Sequence, residues 1–309
     1  MACVNSDIIC ADCFHKSPDE KCPTCSDDLL KETIVDKTLM ELIQKCVSLL
    51  EIPVTDIDME KEPFARGGFG KVHMAKWYNK DVVVKVIEAN SEKEREDVKS
   101  EANITLRLNH PNVITLFGVT YVNRRQPGIV MEKAEHGSLD KWIDKINHEN
   151  VTKIALGIVD GLKYVHSQKV IHRDIKPNNI LMCGPKDDMI PKIADFGVAK
   201  MIQTVMMTHT MVGQNLYMAP EVRLQLRYTF AADIFSLAMT LFEMFNRQLV
   251  LHASDEIQRF ITKVHYERCS TIPKNCKVPL YLREVIERGW SDKPEERPTL
   301  SEYYSTIYG

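Results

Sequence analysis

The chain has 309 residues, 44% of them apolar and 27% charged, with a formal charge of −3. That is the balance of an ordinary globular chain able to bury a sizeable core, and it offers no attraction for nucleic acid or an acidic membrane surface. No run reaches the ~18 apolar residues of a membrane span; the best, Ile234 to Phe245, is broken by Ser236, Thr240 and Glu243.

The N-terminus lacks a basic patch followed by an apolar stretch, so no secretory signal is expected and a cytoplasmic location is. Nine cysteines are unevenly spread: Cys3, Cys10, Cys13, Cys22 and Cys25 crowd into the first 25 residues. This asymmetry excludes a chain-wide disulfide framework and points to something local. Residues 1–31 are polar, cysteine-dense and rich in turn formers. Over 33–50, Val35, Leu39, Leu42, Ile43, Cys46 and Leu50 recur at helical spacing, which predicts an amphipathic helix. Pro53 and the acidic residues after it read as a linker over 51–61, so the helix and linker are assigned to 32–55.

Short β-rich runs follow at 82–87 and 129–131, with a charged helical stretch over 92–108 between them. From Gly137 onward the pattern is mostly helical, including 138–148, 151–167 and 231–246. Strands first and helices later predict an α+β chain with two unequal lobes.

Ala65-Arg66-Gly67-Gly68-Phe69-Gly70-Lys71-Val72, preceded by Phe64, is a glycine-rich turn entering a strand. Glycines let backbone N–H groups approach phosphate oxygens, although alone such a cluster reads as a hairpin turn. Lys85 lies thirteen residues beyond Val72 within Val82-Val83-Val84-Lys85-Val86-Ile87. By itself it fits an exposed strand face as well as a phosphate contact. The specific segment is His172-Arg173-Asp174-Ile175-Lys176-Pro177-Asn178-Asn179, followed by Asp195-Phe196-Gly197 and Ala219-Pro220-Glu221.

In these motifs, and in their order, the chain resembles the eukaryotic protein kinases over 56–309. The resemblance implies a bilobal fold with a β-rich N-lobe (56–133) and a helical C-lobe (134–309). It implies transfer of the γ-phosphoryl group of ATP to protein substrates. Lys85 would hold the α- and β-phosphates, braced by Glu101. Asp174 would accept the substrate proton, Lys176 would reach the transferring phosphate, and Asn179 and Asp195 would bind Mg²⁺. The turn from Phe64 to Gly70 would cover the phosphates. Val72 and Val83 would sandwich the adenine, Glu132 to Ala134 would form the hinge, and Met131 would close the back of the pocket. Asp233 would anchor the catalytic loop, and Arg297 would pair with Glu221.

Lys176-Pro177 matches the serine/threonine pattern, and Gly137-Ser138-Leu139 with Trp290 resembles the tyrosine-kinase-like group, which includes receptor-interacting and mixed-lineage kinases. Thr204, Thr208 and Thr210 lie where an activating phosphate would act. Four positions depart from the pattern: Thr105 takes a position usually apolar in the family, Leu237 replaces a glycine common after Phe235-Ser236, and two lie nearer the chemistry. Ala65 replaces the first glycine of the phosphate loop, which is tolerable at negative φ, and Gln214 replaces a threonine. No phosphate, metal or proton-handling group is lost, so activity is favoured over a nucleotide-binding pseudokinase scaffold.

At the front, Cys10-x2-Cys13 and Cys22-x2-Cys25, with Pro23-Thr24 in the second knuckle, resemble the C-terminal half of a RING finger. In register, the third and fourth ligands would fall at Asn5 and Asp7, so a complete eight-ligand RING is not expected. Two readings stand open: a single Zn²⁺ held by Cys10, Cys13, Cys22 and Cys25, or a metal-free remnant. Residues 1–50 could accordingly engage a ubiquitin-pathway partner or dimerise.

Overall fold

The computed structural model describes residues 51–67, 70–123, 126–196, 214–224, 229–250, 254–266 and 271–309, all within one compact unit, 49–309. The cysteine pairs, the 33–50 helix, Gly68, Phe69, Gly197, Thr204, Thr208 and Thr210 lie outside the described residues.

The first half of the unit is an antiparallel sheet of six strands: β1 (Ile57–Met59), β2 (Ala65–Gly67), β3 (Gly70–Trp77), β4 (Lys80–Val86), β5 (Leu116–Val122) and β6 (Gln126–Glu132). Its order is β1-β3-β4-β6-β5, with β2 paired to β3. In β4, Val82, Val84 and Val86 point to one face and pack with Ile52, Ile57, Ala75 and Val130. Val83, Lys85 and Ile87 take the other face, where Ile87 and Ile129 meet Val98 of helix α1 (Glu92–Leu106). Both faces are covered, so β4 is apolar on both sides rather than alternating. Ser91 and Glu94 close a capping box at the start of α1, and Val98, Ala102 and Thr105 form its buried stripe.

The second half is built on α2 (His148–Ser167) and α4 (Phe230–Asn246), with β7 (Ile180–Cys183) and β8 (Ile190–Ile193) paired beside them. The short α3 (Pro220–Arg223) precedes α4, and α5 (Asp255–Tyr266), α6 (Leu280–Gly289) and α7 (Leu300–Tyr308) follow. Helix α4 is buried from Ala232 to Asn246, and the polar residues that interrupt it are each satisfied. Ser236 Oγ donates to the Tyr217 carbonyl (2.7 Å), and Thr240 Oγ1 donates to the Ser236 carbonyl (2.9 Å). Glu243 accepts from Tyr217 Oη (2.6 Å) and from the Val250 amide (2.7 Å). Among the described residues, no helix is long and apolar enough to cross a membrane.

The halves are joined by the turn after α1. Ile114 N donates to the Ile193 carbonyl, Ile193 N to the Asn112 carbonyl and Asn112 Nδ2 to the Pro191 carbonyl, each at 2.9 Å. Asn112 sits against Gly161 of α2, where a Cβ would lie 2.7 Å from the Asn112 carbonyl oxygen. Only glycine permits that approach.

Two expectations are corrected. The 51–61 linker is built into the sheet: Ile52 is buried, its amide bonds the Val119 carbonyl (2.8 Å), and β1 begins at Ile57. Its apolar residues at 52, 57 and 59 cover the open face of β3, so Pro53 marks an extended entry. The 138–148 helix is a 3-10 turn, Leu139–Lys141, followed by non-helical turns. Gly137 enters at φ +69°, and Asn147 caps α2 through the Asn150 amide (2.7 Å), so the chain breaks helical geometry before α2 begins.

Candidate active site

The register of β2 on β3 pairs Ala65 with Val72, Arg66 with Lys71 and Gly67 with Gly70, so the glycine-rich segment enters and leaves as paired antiparallel strands. Ala65 lies in an extended strand without positive φ, so its methyl group is unstrained. Gly70, at φ +132°, admits no side chain: a Cβ would stand 2.0 Å from the Val86 carbonyl oxygen. Phe64 is exposed, with its amide on the Val72 carbonyl (3.0 Å).

Pairing then aligns one face of the sheet. Val72 is opposite Lys85, and Val83 is opposite Met131. Val72, Val83, Lys85 and Met131 therefore share the face that carries α1. Lys85 is only 8% exposed, and its Nζ forms an ion pair with Asp195. A buried ammonium requires such a counter-charge. Glu101 lies in α1, where β4 and Lys85 are within the same half of the unit. Below the sheet, Glu132 Oε1 accepts from the Thr115 amide (2.6 Å) and from Lys192 Nζ (2.9 Å). That ion pair ties β6 to β8, and Ala134 follows half-buried.

The catalytic-loop motif folds around Asp233. This carboxylate is wholly buried; Oδ1 accepts the Arg173 amide (2.8 Å), and Oδ2 accepts the His172 amide (2.8 Å) and bonds His166 Nε2 (2.8 Å). Arg173 stands at φ +72° and Asp195 at +62°, conformations that cost a side-chain-bearing residue about 1–2 kcal/mol each. The paired amide bonds to Asp233 hold the first of them. His172 is buried with Nε2 on the Ala194 carbonyl (2.9 Å) and Nδ1 facing the Asp174 amide (3.2 Å). A neutral ring that donates from Nε2 and accepts at Nδ1 satisfies both.

Asp174 Oδ2 accepts from Lys176 Nζ and from Asn179 Nδ2, both at 2.8 Å. Asn179 Nδ2 also bonds the Asp174 carbonyl (2.7 Å), so its amide nitrogen is committed and its oxygen remains available. The structure thus brings Asp174, Lys176 and Asn179 into one cluster and Lys85 and Asp195 into another, linked through Ala194, whose amide bonds the Asn179 carbonyl (2.9 Å). Farther down, Arg297 grips both Glu221 carboxylate oxygens (2.7 and 2.8 Å), as expected.

Sequence reasoning missed four participants: His166 on Asp233, Lys192 on Glu132, Asn112 between the halves, and the Tyr217–Glu243 contact. Asn112 stands in the His110-Pro111-Asn112 turn after α1, but neither it nor the others carries a local signal for its partner, which lies 26 to 79 residues away.

The protein kinase domain family matches residues 60–308 of the chain. Serine/threonine/tyrosine-protein kinase HT1 of Arabidopsis thaliana is 28% identical over 257 residues, covering 79% of this chain and 64% of its own length. Human mitogen-activated protein kinase kinase kinase 7 is 33% identical over 277 residues, 85% of this chain and 43% of the relative. Serine/threonine-protein kinase dst1 of Dictyostelium discoideum is 33% identical over 248 residues, 78% of this chain and 33% of the relative. The chain thus spans between a third and two thirds of these curated relatives. With the curled sheet, the helical half and the motif residues gathered between them, the match establishes that the chain belongs to the protein kinase domain family.

Proposed function

We propose that the chain is an active protein kinase that transfers the γ-phosphoryl group of ATP to serine or threonine hydroxyls of proteins. The observation that carries this reading is the Asp174 carboxylate, held on one oxygen by Lys176 and Asn179 above a loop fixed by Asp233. Asp174 is thereby aimed without being buried, which a residue that orients an incoming hydroxyl requires.

In the proposed reaction the substrate hydroxyl oxygen bonds to the γ-phosphorus while the bond to the β,γ-bridging oxygen breaks. ADP leaves, and the hydroxyl proton passes to Asp174. Lys176 neutralises charge on the phosphoryl group in flight, and Lys85, braced by Glu101, anchors the α- and β-phosphates. Gly67, Gly68 and Gly70 let the backbone cover them, Val72 and Val83 flank the base, and residues 132–134 bond its edge. The Asn179 amide oxygen and the Asp195 carboxylate are the hard oxygen donors that suit Mg²⁺, so these residues fit the ion. Bound there, the ion would neutralise phosphate charge; Lys85 would then exchange its present hold on Asp195 for the nucleotide.

The hydroxyl class rests on Lys176-Pro177, and a place in the tyrosine-kinase-like group rests on Gly137-Ser138-Leu139 and Trp290. Regulation by phosphate on Thr204, Thr208 or Thr210 belongs to the same reading. The test is incorporation of radiolabel from ATP into a generic protein substrate, followed by phosphoamino-acid analysis. Wild type should label serine or threonine, and Asp174→Asn should lose at least a hundredfold in rate. Equal incorporation by both proteins would overturn the assignment.

A further inference from the structure

A cavity of about 780 Å³ opens in the helical half, walled by the turns over 140–145, the C-terminal end of α4, the start of α5 and the segment 275–277 ahead of α6. Among the described residues that line it, none belongs to the catalytic loop. Its walls are braced by the protein itself. Asn246 Oδ1 accepts the Lys277 amide (3.1 Å), which ties that segment to the end of α4. Arg283 donates to the carbonyls of Ile272 (3.2 Å), Pro273 (3.1 Å), Cys276 (2.9 Å) and Val278 (3.1 Å), so the same segment is held along its length. On the turns over 140–145, Trp142 Nε1 donates to the His136 carbonyl (2.8 Å). The recess is thus preformed, as binding sites generally are.

Four cations line it, Lys141, Lys145, Arg247 and Lys277, against two carboxylates, Asp140 and Asp144. That local positive excess stands in a chain whose formal charge is −3. The exposed charge is more one-sided still: the three lysines and Asp144 are exposed, whereas Asp140 is half-buried with Oδ1 out of solvent. Among the described residues, Lys141, Arg247 and Lys277 join no ion pair. Arg247 also stands at φ +57° where α4 ends, a left-handed position that glycine would hold without strain. Between the charges the wall is apolar, with Ile143 and Ile257 buried and Leu249 half-buried.

We propose that this cavity docks an acidic peptide segment of a protein partner. One aliphatic side chain of the segment packs on Ile143, Leu249 and Ile257, and carboxylates on either side of it meet Lys141, Arg247 and Lys277. Charge complementarity selects the sign of the occupant. Its extended form follows from the placement of the cations, which are carried by three separate stretches of chain: the turn at 141–145, the end of α4 and the segment before α6. Carboxylates strung along a peptide match that spread. A single phosphate is instead held by donors that converge on one point. The proposal does not depend on phosphoryl transfer, because the cavity and the Asp174 cluster share no residue.

The test uses the full chain and a set of fluorescein-labelled peptides in which one leucine is flanked by glutamates at varied spacing, each with a glutamine and a lysine counterpart. Affinity is read by anisotropy without nucleotide, so the result stands whether or not transfer occurs. At the best spacing the glutamate peptide should bind about tenfold more tightly than its glutamine counterpart, as a few charge-assisted contacts give, and the ratio should shrink as salt rises. Lys277→Glu should remove most of that ratio, and Lys277→Glu with Arg247→Glu should turn the preference to the lysine peptide. Leu249→Ser should weaken the glutamate and glutamine peptides alike. Thermal melts report folding, and because Lys277 is exposed its variant tests the site even where Arg247→Glu disturbs the end of α4. Equal affinity for glutamate and glutamine peptides at every spacing, or a ratio unchanged in Lys277→Glu, overturns the docking site. Inorganic phosphate or a single-stranded oligonucleotide that binds as tightly as the best peptide, and is lost in the same variants, would overturn the peptide as its occupant.

Discussion

Arg297 and Glu221 meet through two parallel N–H···O bonds although they stand 76 residues apart, and the arginine side chain is only 1% exposed. The same guanidinium donates to the Ala231 carbonyl (2.8 Å) and the Ser291 carbonyl (2.9 Å), so it fastens α3, the start of α4 and the turn before α7 at one point. Glu221→Ala would leave that cation buried without a counter-charge, and such a loss costs about 3–5 kcal/mol. The melting temperature should fall by roughly 10 °C, at about 2–4 °C per kcal/mol for a unit of this size. A calorimetric scan in which Glu221→Ala melts within a degree of wild type would show that the pair contributes nothing.

Asp233 acts on the loop backbone rather than on the reaction. Asn at this position keeps one accepting oxygen but turns an N–H donor toward the His172 or Arg173 amide, and the φ +72° conformation of Arg173 loses half its support. Asp233→Asn should lower kcat by about ten- to a hundredfold, with a smaller change in KM for ATP, and should destabilise the fold by about 2–3 kcal/mol. Single-turnover kinetics with urea unfolding separates the two effects. His166→Ala removes only the third bond to Asp233 and should give a milder version of both.

The parts of the site that were legible in the sequence are those where chemistry demands fixed residue types at short separation. Asp174, Lys176 and Asn179 span six residues and form one cluster. Lys85 shows what a strand pattern alone leaves open. Within a valine run it fits an outward position equally well, and only coverage of both sheet faces makes it buried. The 51–61 segment was misread for a related reason: Ile52 finds its partner at Val119, 67 residues on, and nothing local announces that pairing. Likewise Lys192 and Glu132, 60 residues apart, read separately as surface charges. Tertiary packing makes them neighbours.

The Lys192–Glu132 pair bridges β8 and β6 at the point where the halves meet, with both side chains mostly out of solvent. The Thr115 amide also depends on the Glu132 carboxylate (2.6 Å), so the two contacts are coupled. A double-mutant cycle over Lys192→Ala and Glu132→Gln should give a coupling energy of about 1–3 kcal/mol. Lys192→Ala should raise KM for ATP more than it lowers kcat, because it loosens the strand end that would bond the base. Additive single effects would show that the pair is incidental.

Glu243 offers a test by pH. Its carboxyl, buried in α4, is pushed up to about 7 from an ordinary 4.5, chiefly by burial, although the Tyr217 hydroxyl and Val250 amide pull the other way. A carboxyl with a raised folded-state pKa holds its proton more firmly folded than unfolded. Its contribution is thus fully favourable below about 4.5 and is lost as pH rises towards about 7. Glutamine can accept from the Val250 amide and donate to the tyrosine oxygen, so Glu243→Gln mimics the protonated form. The stability of wild type minus that of Glu243→Gln should fall by something on the order of 3 kcal/mol across that window and stay level above it. Urea titrations of both proteins from pH 4.5 to 8 measure this difference directly, with other titrating groups cancelling. A difference that stays constant over the range, or that grows with pH, would mean that Glu243 is held as a carboxylate by a stronger positive field than its described neighbours supply.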